Sequence, residues 1–258
     1  MGDRFYRYLQ DGASHYAVER DGALYDLAGD IFGSFSARTP IPGGLPSLVL
    51  LPPVVPSKIV CVGLNYKDHA AEQNKPLPPE PLLFIKPSTS VVGPGQPIVI
   101  PAGIGRVDHE AELGVVISRR ARRVPRARAW DFILGLVCVN DVTARDLQNK
   151  GAGYTRAKGF DTFAPVGPCI AAVANGAGRN ALTVQGWVNG TRRQASDTSH
   201  LIFPIDQLVE YISFNMTLEP GDIISTGTPS GIGPLTSGDS VTVKVAGVGE
   251  LTNPVISD

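Results

Sequence analysis

Two short stretches hold the residue types that chemistry can use most readily. They are Asp108-His109-Glu110-Ala111-Glu112-Leu113 and Asn140-Asp141-Val142-Thr143-Ala144-Arg145-Asp146. Glu110 and Glu112 open the run Glu-Ala-Glu-Leu-Gly-Val-Val-Ile, whose apolar and β-branched content predicts a strand over 110–118. Residues two apart on a strand share a face, so both carboxylates point one way and Ala111, Leu113, Val115 and Ile117 the other. Like charges about 7 Å apart on a half-buried strand are costly unless a cation lies between them. Asp141 follows a second apolar run, Ile133–Val139, and offers a third carboxylate. Three hard oxygen ligands, with no thiolate or imidazole cluster beside them, suit Mg²⁺, Mn²⁺ or Ca²⁺ rather than zinc.

A second group of candidates surrounds this one. Asn65-Tyr66-Lys67-Asp68-His69-Ala70-Ala71-Glu72 predicts a helix on which His69 and Glu72, three apart, face the same side. A carboxylate beside an imidazole sets its tautomer and raises its basicity, as a water-activating base requires; an ordinary surface pair has the same spacing. Lys158 stands among glycine and aromatics in Ala157-Lys158-Gly159-Phe160, placed either to bind a carboxylate or enolate or to extend into solvent. The turn Gly227-Thr228-Pro229-Ser230-Gly231 can aim N–H groups and a hydroxyl at an anion. Arg145 and Gln148, just beyond Asp141, are expected beside any ligand held there.

The elements that must position these residues are mostly strands. Apolar runs predict strands at 58–63, 82–86, 97–100, 110–118, 133–140, 165–172, 182–188, 222–226 and 240–245. Helices are predicted only at 66–74, 126–132 and 204–214. Upstream, Arg20-Asp21-Gly22-Ala23 between alternating apolar residues is a hairpin signal, and the proline-rich Thr39–Ser57 reads as a linker. The expected organisation is a small β-rich unit with its linker over 1–56, then a main domain over 57–258. Strands that outnumber helices without βαβ alternation argue against Rossmann and TIM folds, and no phosphate-binding glycine motif follows a strand.

Composition narrows the function classes. A chain of 258 residues with 43% hydrophobic and 18% charged residues is that of a compact soluble protein, and its net charge of −1 offers no general attraction to nucleic acid or anionic membrane. The basic cluster Arg119–Arg123, with Arg126 and Arg128, reads as a solvated loop. No apolar run approaches the length of a membrane span, and no signal-peptide core is visible. Cys61, Cys138 and Cys169, an odd number in apolar settings, favour buried reduced thiols and a cytoplasmic protein.

Taken in order, these segments resemble the fumarylacetoacetate hydrolase family. The matching stretches are Gly63-Leu64-Asn65-Tyr66 with His69 and Glu72, Phe84-Ile85-Lys86-Pro87, Glu110-Ala111-Glu112-Leu113 and Asn140-Asp141-Val142-Thr143-Ala144-Arg145-Asp146. They continue with Lys158-Gly159-Phe160-Asp161-Thr162-Phe163, Gly167-Pro168 and Thr226-Gly227-Thr228-Pro229-Ser230-Gly231, so that the resemblance covers residue 57 to about 255. It implies a mainly β, mixed α/β fold, a β-sandwich roll with few helices, that forms a homodimer. It also implies Mg²⁺ or Mn²⁺ on Glu110, Glu112 and Asp141, and a mobile lid that carries His69 and Glu72 over the substrate. Lys158 and Thr228 are then expected to contact a small 2-oxo acid, with Arg145, Gln148, Gly227 and Lys86 completing its surroundings. The chain is most similar to small acylpyruvase-type members, which implies C–C bond hydrolysis of an acylpyruvate such as fumarylpyruvate. The family also contains isomerases of 5-carboxymethyl-2-hydroxymuconate and 2-hydroxyhepta-2,4-diene-1,7-dioate and oxaloacetate decarboxylases. A non-catalytic metal-binding scaffold on the same fold is the remaining alternative.

Overall fold

The computed structural model describes residues 2–149, 151, 153–173 and 181–258. Every strand expected from the apolar runs is present within two residues at either end, and the strands gather into three sheets. The main path of the largest runs Phe35–Pro40, Ala23–Gly29, Ala13–Arg20, Arg4–Gln10, Ala164–Ala172, Ile133–Asn140, Ala111–Ile117, Ile223–Ser225, Lys58–Gly63 and Leu82–Pro87. A five-stranded sheet orders Thr191–Asp197, Thr183–Val188, Ser240–Val245, Gly249–Ser257 and Ile98–Ile100. A three-stranded sheet joins Thr143–Ala144, Val107–His109 and Gly233–Leu235. The described α-helices are few and short: α1 (Lys67–Glu72), α2 (Arg145–Asn149), α3 (Tyr154–Lys158) and α4 (Ile205–Asn215).

The central strand Ala111–Ile117 is buried along its whole length because both faces of the large sheet are covered. On one side Leu113, Val115 and Ile117 pack with Val184, Val243, Val245 and Leu251 of the five-stranded sheet and with Leu208, Val209 and Ile212 of α4. On the other, Val116, Val137, Val139 and Ile223 pack with Phe5, Val18 and Leu27. The N-terminal strands extend this same sheet, with Arg4 opposite Ala171 and Phe5 opposite Ile170. The Asp21-Gly22 turn has positive φ at both residues, 52° and 79°, as a two-residue hairpin of the type I′ kind requires. Within the stretch read as a linker, Val49–Leu51 pairs with Arg7–Leu9.

Two expectations need correction. Residues 126–132 form a 3₁₀ rather than an α-helix; the segment is short, starts after Pro125 and buries only Ala129. The arginines around it are tied down locally: Arg126 pairs with Asp206, Arg128 with Asp131, and Arg122 donates to the Ser213 carbonyl near the end of α4. The strand predicted from residue 110 begins instead at Ala111, because the chain changes sheets at Glu110.

That change of sheet builds the site. Val107–His109 lies in the small sheet and Ala111–Ile117 in the large one, with Glu110 as the joint. Its neighbour bends at the same level: Ile133–Asn140 belongs to the large sheet, Thr143–Ala144 to the small one, and Asp141-Val142 is the joint. The registers Ala111 opposite Asn140 and Asp108 opposite Thr143 keep the strands paired on both sides of the bend. The Asp141 N–H donates to the Glu110 carbonyl at 2.9 Å, and the Glu110 N–H donates to Asn140 Oδ1 at 3.0 Å. Two strands leaving one sheet for another at a corner thus put two carboxylates opposite each other.

Candidate active site

Glu110, Glu112 and Asp141 are buried at this corner, and each offers an oxygen within 4.8 Å of the others'. Their surroundings differ. Glu110 accepts from Lys158 Nζ at 2.8 Å and from Arg145. Asp141 accepts from Lys158 Nζ at 2.6 Å and from Lys86 Nζ at 2.5 Å. Among the described residues no cation contacts Glu112; its Oε2 accepts from Ser225 Oγ at 2.6 Å and the Gly227 N–H at 2.9 Å. Burial, with Asp141 and Glu110 nearby, pushes the Glu112 carboxyl up to about 8. Burial also opposes ionisation of Glu110, but the charges of Lys158 and Arg145 outweigh it and hold its carboxyl at about 2. Lys158 is likewise raised, because Asp141 and Glu110 overcome the burial that disfavours its ammonium. The donor set fits a hard divalent cation: three carboxylates converge, and the one without a compensating charge still lines the pocket.

The pocket has a volume of about 410 Å³, the size of a small-molecule site. His69, Gln148, Arg145, Lys158, Thr228 and the three carboxylates all line it. On α1, His69 Nδ1 lies 2.8 Å from Glu72 Oε2, and the other Glu72 oxygen accepts from the Gly231 N–H at 2.9 Å. With Nδ1–H donating to Glu72, Nε2 carries the lone pair and accepts from the Gln73 amide at 2.8 Å. The helical spacing that suggested a dyad therefore produces one. Gln73 was not legible as its partner.

Other expected residues take different posts. Lys86 was expected near the substrate, but it is fully buried behind Asp141 and donates to Asp141 Oδ1 and the Val142 carbonyl. Its place on Leu82–Pro87, beside Lys58–Gly63, aims it under the corner. The Gly227 N–H is committed to Glu112 rather than to a ligand. Lys158 reaches the pocket from the end of α3, yet its ammonium is used on Glu110, Asp141 and Thr143 Oγ1. Thr228 Oγ1 donates to the Ala111 carbonyl and accepts from Gln194. Gln148 accepts from Arg145 Nη1 at 2.5 Å, one turn along α2.

Sequence reading missed Asp108 and Arg106. Asp108 is fully buried and held by Arg106 Nε at 2.6 Å and Arg145 Nε at 2.9 Å, so it orients the guanidinium that meets Glu110. The Phe84 and Tyr154 rings stack at 5.0 Å beside the pocket, and Lys158 Nζ lies 5.1 Å from the Phe84 centroid. The three cysteines are buried and free; burial pushes Cys169 up to about 12 and the other two upward, which excludes them as ready nucleophiles. Among the described residues no helix is long and apolar enough to cross a membrane.

A sequence model of the fumarylacetoacetate (FAA) hydrolase C-terminal domain matches residues 58–256. An uncharacterized protein of Archaeoglobus fulgidus is 49% identical over 236 residues, which cover 92% of this chain and 93% of its own length. The solved 5-carboxymethyl-2-hydroxymuconate delta-isomerase of Mycobacterium smegmatis is 42% identical with a TM-score of 0.88, over 99% of this chain and 100% of that one. The maleylpyruvate hydrolase of Sphingobium sp. SYK-6, solved with manganese(II) and pyruvate, is 28% identical with a TM-score of 0.81, over 98% and 99%.

Proposed function

The chain belongs to the fumarylacetoacetate hydrolase family, and from that premise we propose that it is a divalent-metal-dependent enzyme that hydrolyses the C–C bond of an acylpyruvate such as fumarylpyruvate. The observation that carries this reading is the shared pocket: His69, with Glu72 behind it, opens onto the same space as Glu110, Glu112 and Asp141. Glu110, Glu112 and Asp141 would hold a divalent cation, Mg²⁺ or Mn²⁺ by their chemistry, which would supply Lewis acidity to a 2-oxo acid in this pocket.

The chain's own groups do the rest. Glu72 holds the Nδ1–H of His69, which leaves Nε2 free to take a proton once a water displaces the Gln73 amide. The resulting hydroxide adds to the distal carbonyl, and the bond from that carbon to C3 of the pyruvate unit breaks. The electron pair passes into the pyruvate enolate, which takes a proton at C3, so that water is consumed and a carboxylic acid and pyruvate are released. Arg145, held by Asp108, Gln148 and Glu110, lines the pocket with a positive charge that suits an anionic substrate.

His69→Ala is expected to slow acylpyruvate hydrolysis by about 10²–10⁴-fold while divalent-cation binding persists. Glu72→Gln, which retains an acceptor for Nδ1–H, is expected to lose less. Full hydrolytic turnover by the alanine variant would remove the assigned base. Likeness to the Mycobacterium smegmatis isomerase favours one second reading, in which the same imidazole carries a proton between carbons of 5-carboxymethyl-2-hydroxymuconate. Assaying both substrates on one Mn²⁺-loaded preparation separates the two.

A further inference from the structure

We propose that Gln194 is a positioning residue that sets the spacing between the strand carrying Glu112 and the turn Thr226–Gly231, through which it governs both cation binding and the placement of Thr228. The turn spans the site. Its Gly227 N–H holds Glu112 Oε2, its Gly231 N–H holds Glu72 Oε1, and Thr228 Oγ1 donates to the Ala111 carbonyl, each at 2.9 Å. One side chain from the five-stranded sheet clamps this turn to the ligand strand. Gln194 Nε2 donates to Thr228 Oγ1 at 2.7 Å and to the Pro229 carbonyl at 2.8 Å. Its Oε1 accepts from the Ala111 N–H at 2.9 Å and from His109 Nδ1 at 3.0 Å. A carbonyl can only accept and a backbone N–H can only donate, so Pro229 and Ala111 fix which end of the carboxamide faces which way.

The backbone is shaped to deliver this group. Gln194 is the only buried residue of Thr191–Asp197. Gly186 pairs with Gln194 but Trp187 pairs with Arg192, so Arg193 is the extra residue of a β-bulge. Bulges beside active sites re-aim a side chain, and here the re-aimed one is Gln194. Gly186 leaves room for the carboxamide: a Cβ there would lie 2.7 Å from Gln194 Oε1. Gly231, at φ +95°, seats the turn on the bulge so closely that a Cβ would lie 2.1 Å from the Arg193 carbonyl oxygen.

The kinetic and Mn²⁺ arms rest on the metal-enzyme reading, whereas hydrogen exchange in metal-free protein is independent of it. Gln194→Met keeps size and removes all four hydrogen bonds, whereas Gln194→Glu keeps the acceptor for Ala111 and loses both donors to the turn. In metal-free protein, amide hydrogen exchange over 226–231 is expected to accelerate in both variants while the Ala111–Ile117 strand keeps its protection. Mn²⁺ titration is expected to show about 10-fold weaker binding, the usual effect of removing an outer-shell partner. With the preferred substrate, Gln194→Met is expected to lower kcat/KM about 10–100-fold alone but less than about threefold in a Thr228→Ala background, since Gln194 acts through Thr228. Wild-type exchange of the turn together with wild-type Mn²⁺ affinity in the folded variants overturns the assignment, as do losses that multiply independently with Thr228→Ala. If both Gln194 variants fail to fold, Gly186→Ala, which presses on the carboxamide without removing it, carries the same exchange and Mn²⁺ criteria. Absence of turnover in the wild-type chain with every 2-oxo acid overturns the functional reading, and the exchange results still decide the role of Gln194.

Discussion

Glu112→Gln is expected to abolish tight divalent-cation binding and reduce turnover by at least about 10³-fold, yet leave the metal-free chain no less stable than wild type above neutral pH. Glu112 is buried, touches no cation among the described residues and carries a carboxyl pushed up to about 8 by burial and by the neighbouring Asp141 and Glu110. The folded value lies above the unfolded one of about 4.5, so the native state binds this proton more tightly. The stability this residue contributes is therefore complete below about pH 4.5 and is lost as pH rises through 8. Metal-free wild type is expected to lose on the order of a few kcal/mol across that window, and the amide variant to show a flatter profile. The variant keeps an oxygen for Ser225 Oγ–H and the Gly227 N–H, so neither of these donors loses its acceptor. Thermal unfolding between pH 5 and 9, with chelator and with Mn²⁺, measures both effects. A wild-type profile in the variant would show that Glu112 is not the strained carboxylate.

Lys158→Met is expected to destabilise the metal-free chain by about 3–5 kcal/mol and to make its stability strongly dependent on divalent cation. The ammonium bridges Glu110 and Asp141 and reaches Thr143 Oγ1 from a fully buried position. Its removal leaves Asp141 paired with Lys86 and Glu110 with Arg145 among the described residues, at a buried corner. A cation on the three carboxylates replaces part of the lost charge, so Mn²⁺ is expected to raise the melting temperature of this variant by more than that of wild type. An equal Mn²⁺ response in the two proteins would return Lys158 to the substrate-contacting catalytic role first expected of it. The experiment thus separates a lysine that holds the acidic corner together from one that waits for a ligand.

The local signals in the chain were reliable where physics is local. Alternation in Ala111–Ile117 placed Leu113, Val115 and Ile117 on one core face, and Asp21-Gly22 made its hairpin turn. The three-residue spacing of His69 and Glu72 was enough for their contact, since one turn of helix brings such a pair together wherever the helix lies. The same turn signal at Asn189-Gly190, with positive φ at both residues, joins Thr183–Val188 to Thr191–Asp197 and was available to predict the strand that bears Gln194. The helices α2 and α3, five residues each, are too short to show a 3.6-residue stripe, and the three-stranded sheet uses runs too short to alternate.

By itself the sequence determined which groups were available: an acidic set with no soft ligand beside it, an imidazole with a carboxylate one turn away, and alternating runs that had to become a layered β-fold. Residue types and i,i+2 or i,i+3 spacings settle such matters because they act over one strand repeat or one helical turn. Only the tertiary structure decided how those groups divide their work. It made Glu110 and Asp141 partners by bending two paired strands out of one sheet and into another at the same level. It turned Lys86 and Lys158 toward carboxylates instead of solvent, and it brought Gln194 onto Thr228 through a bulge in a separate sheet. Each of these contacts joins segments distant in the chain. Their geometry follows from how sheets pack and cross at corners, which no short sequence window records.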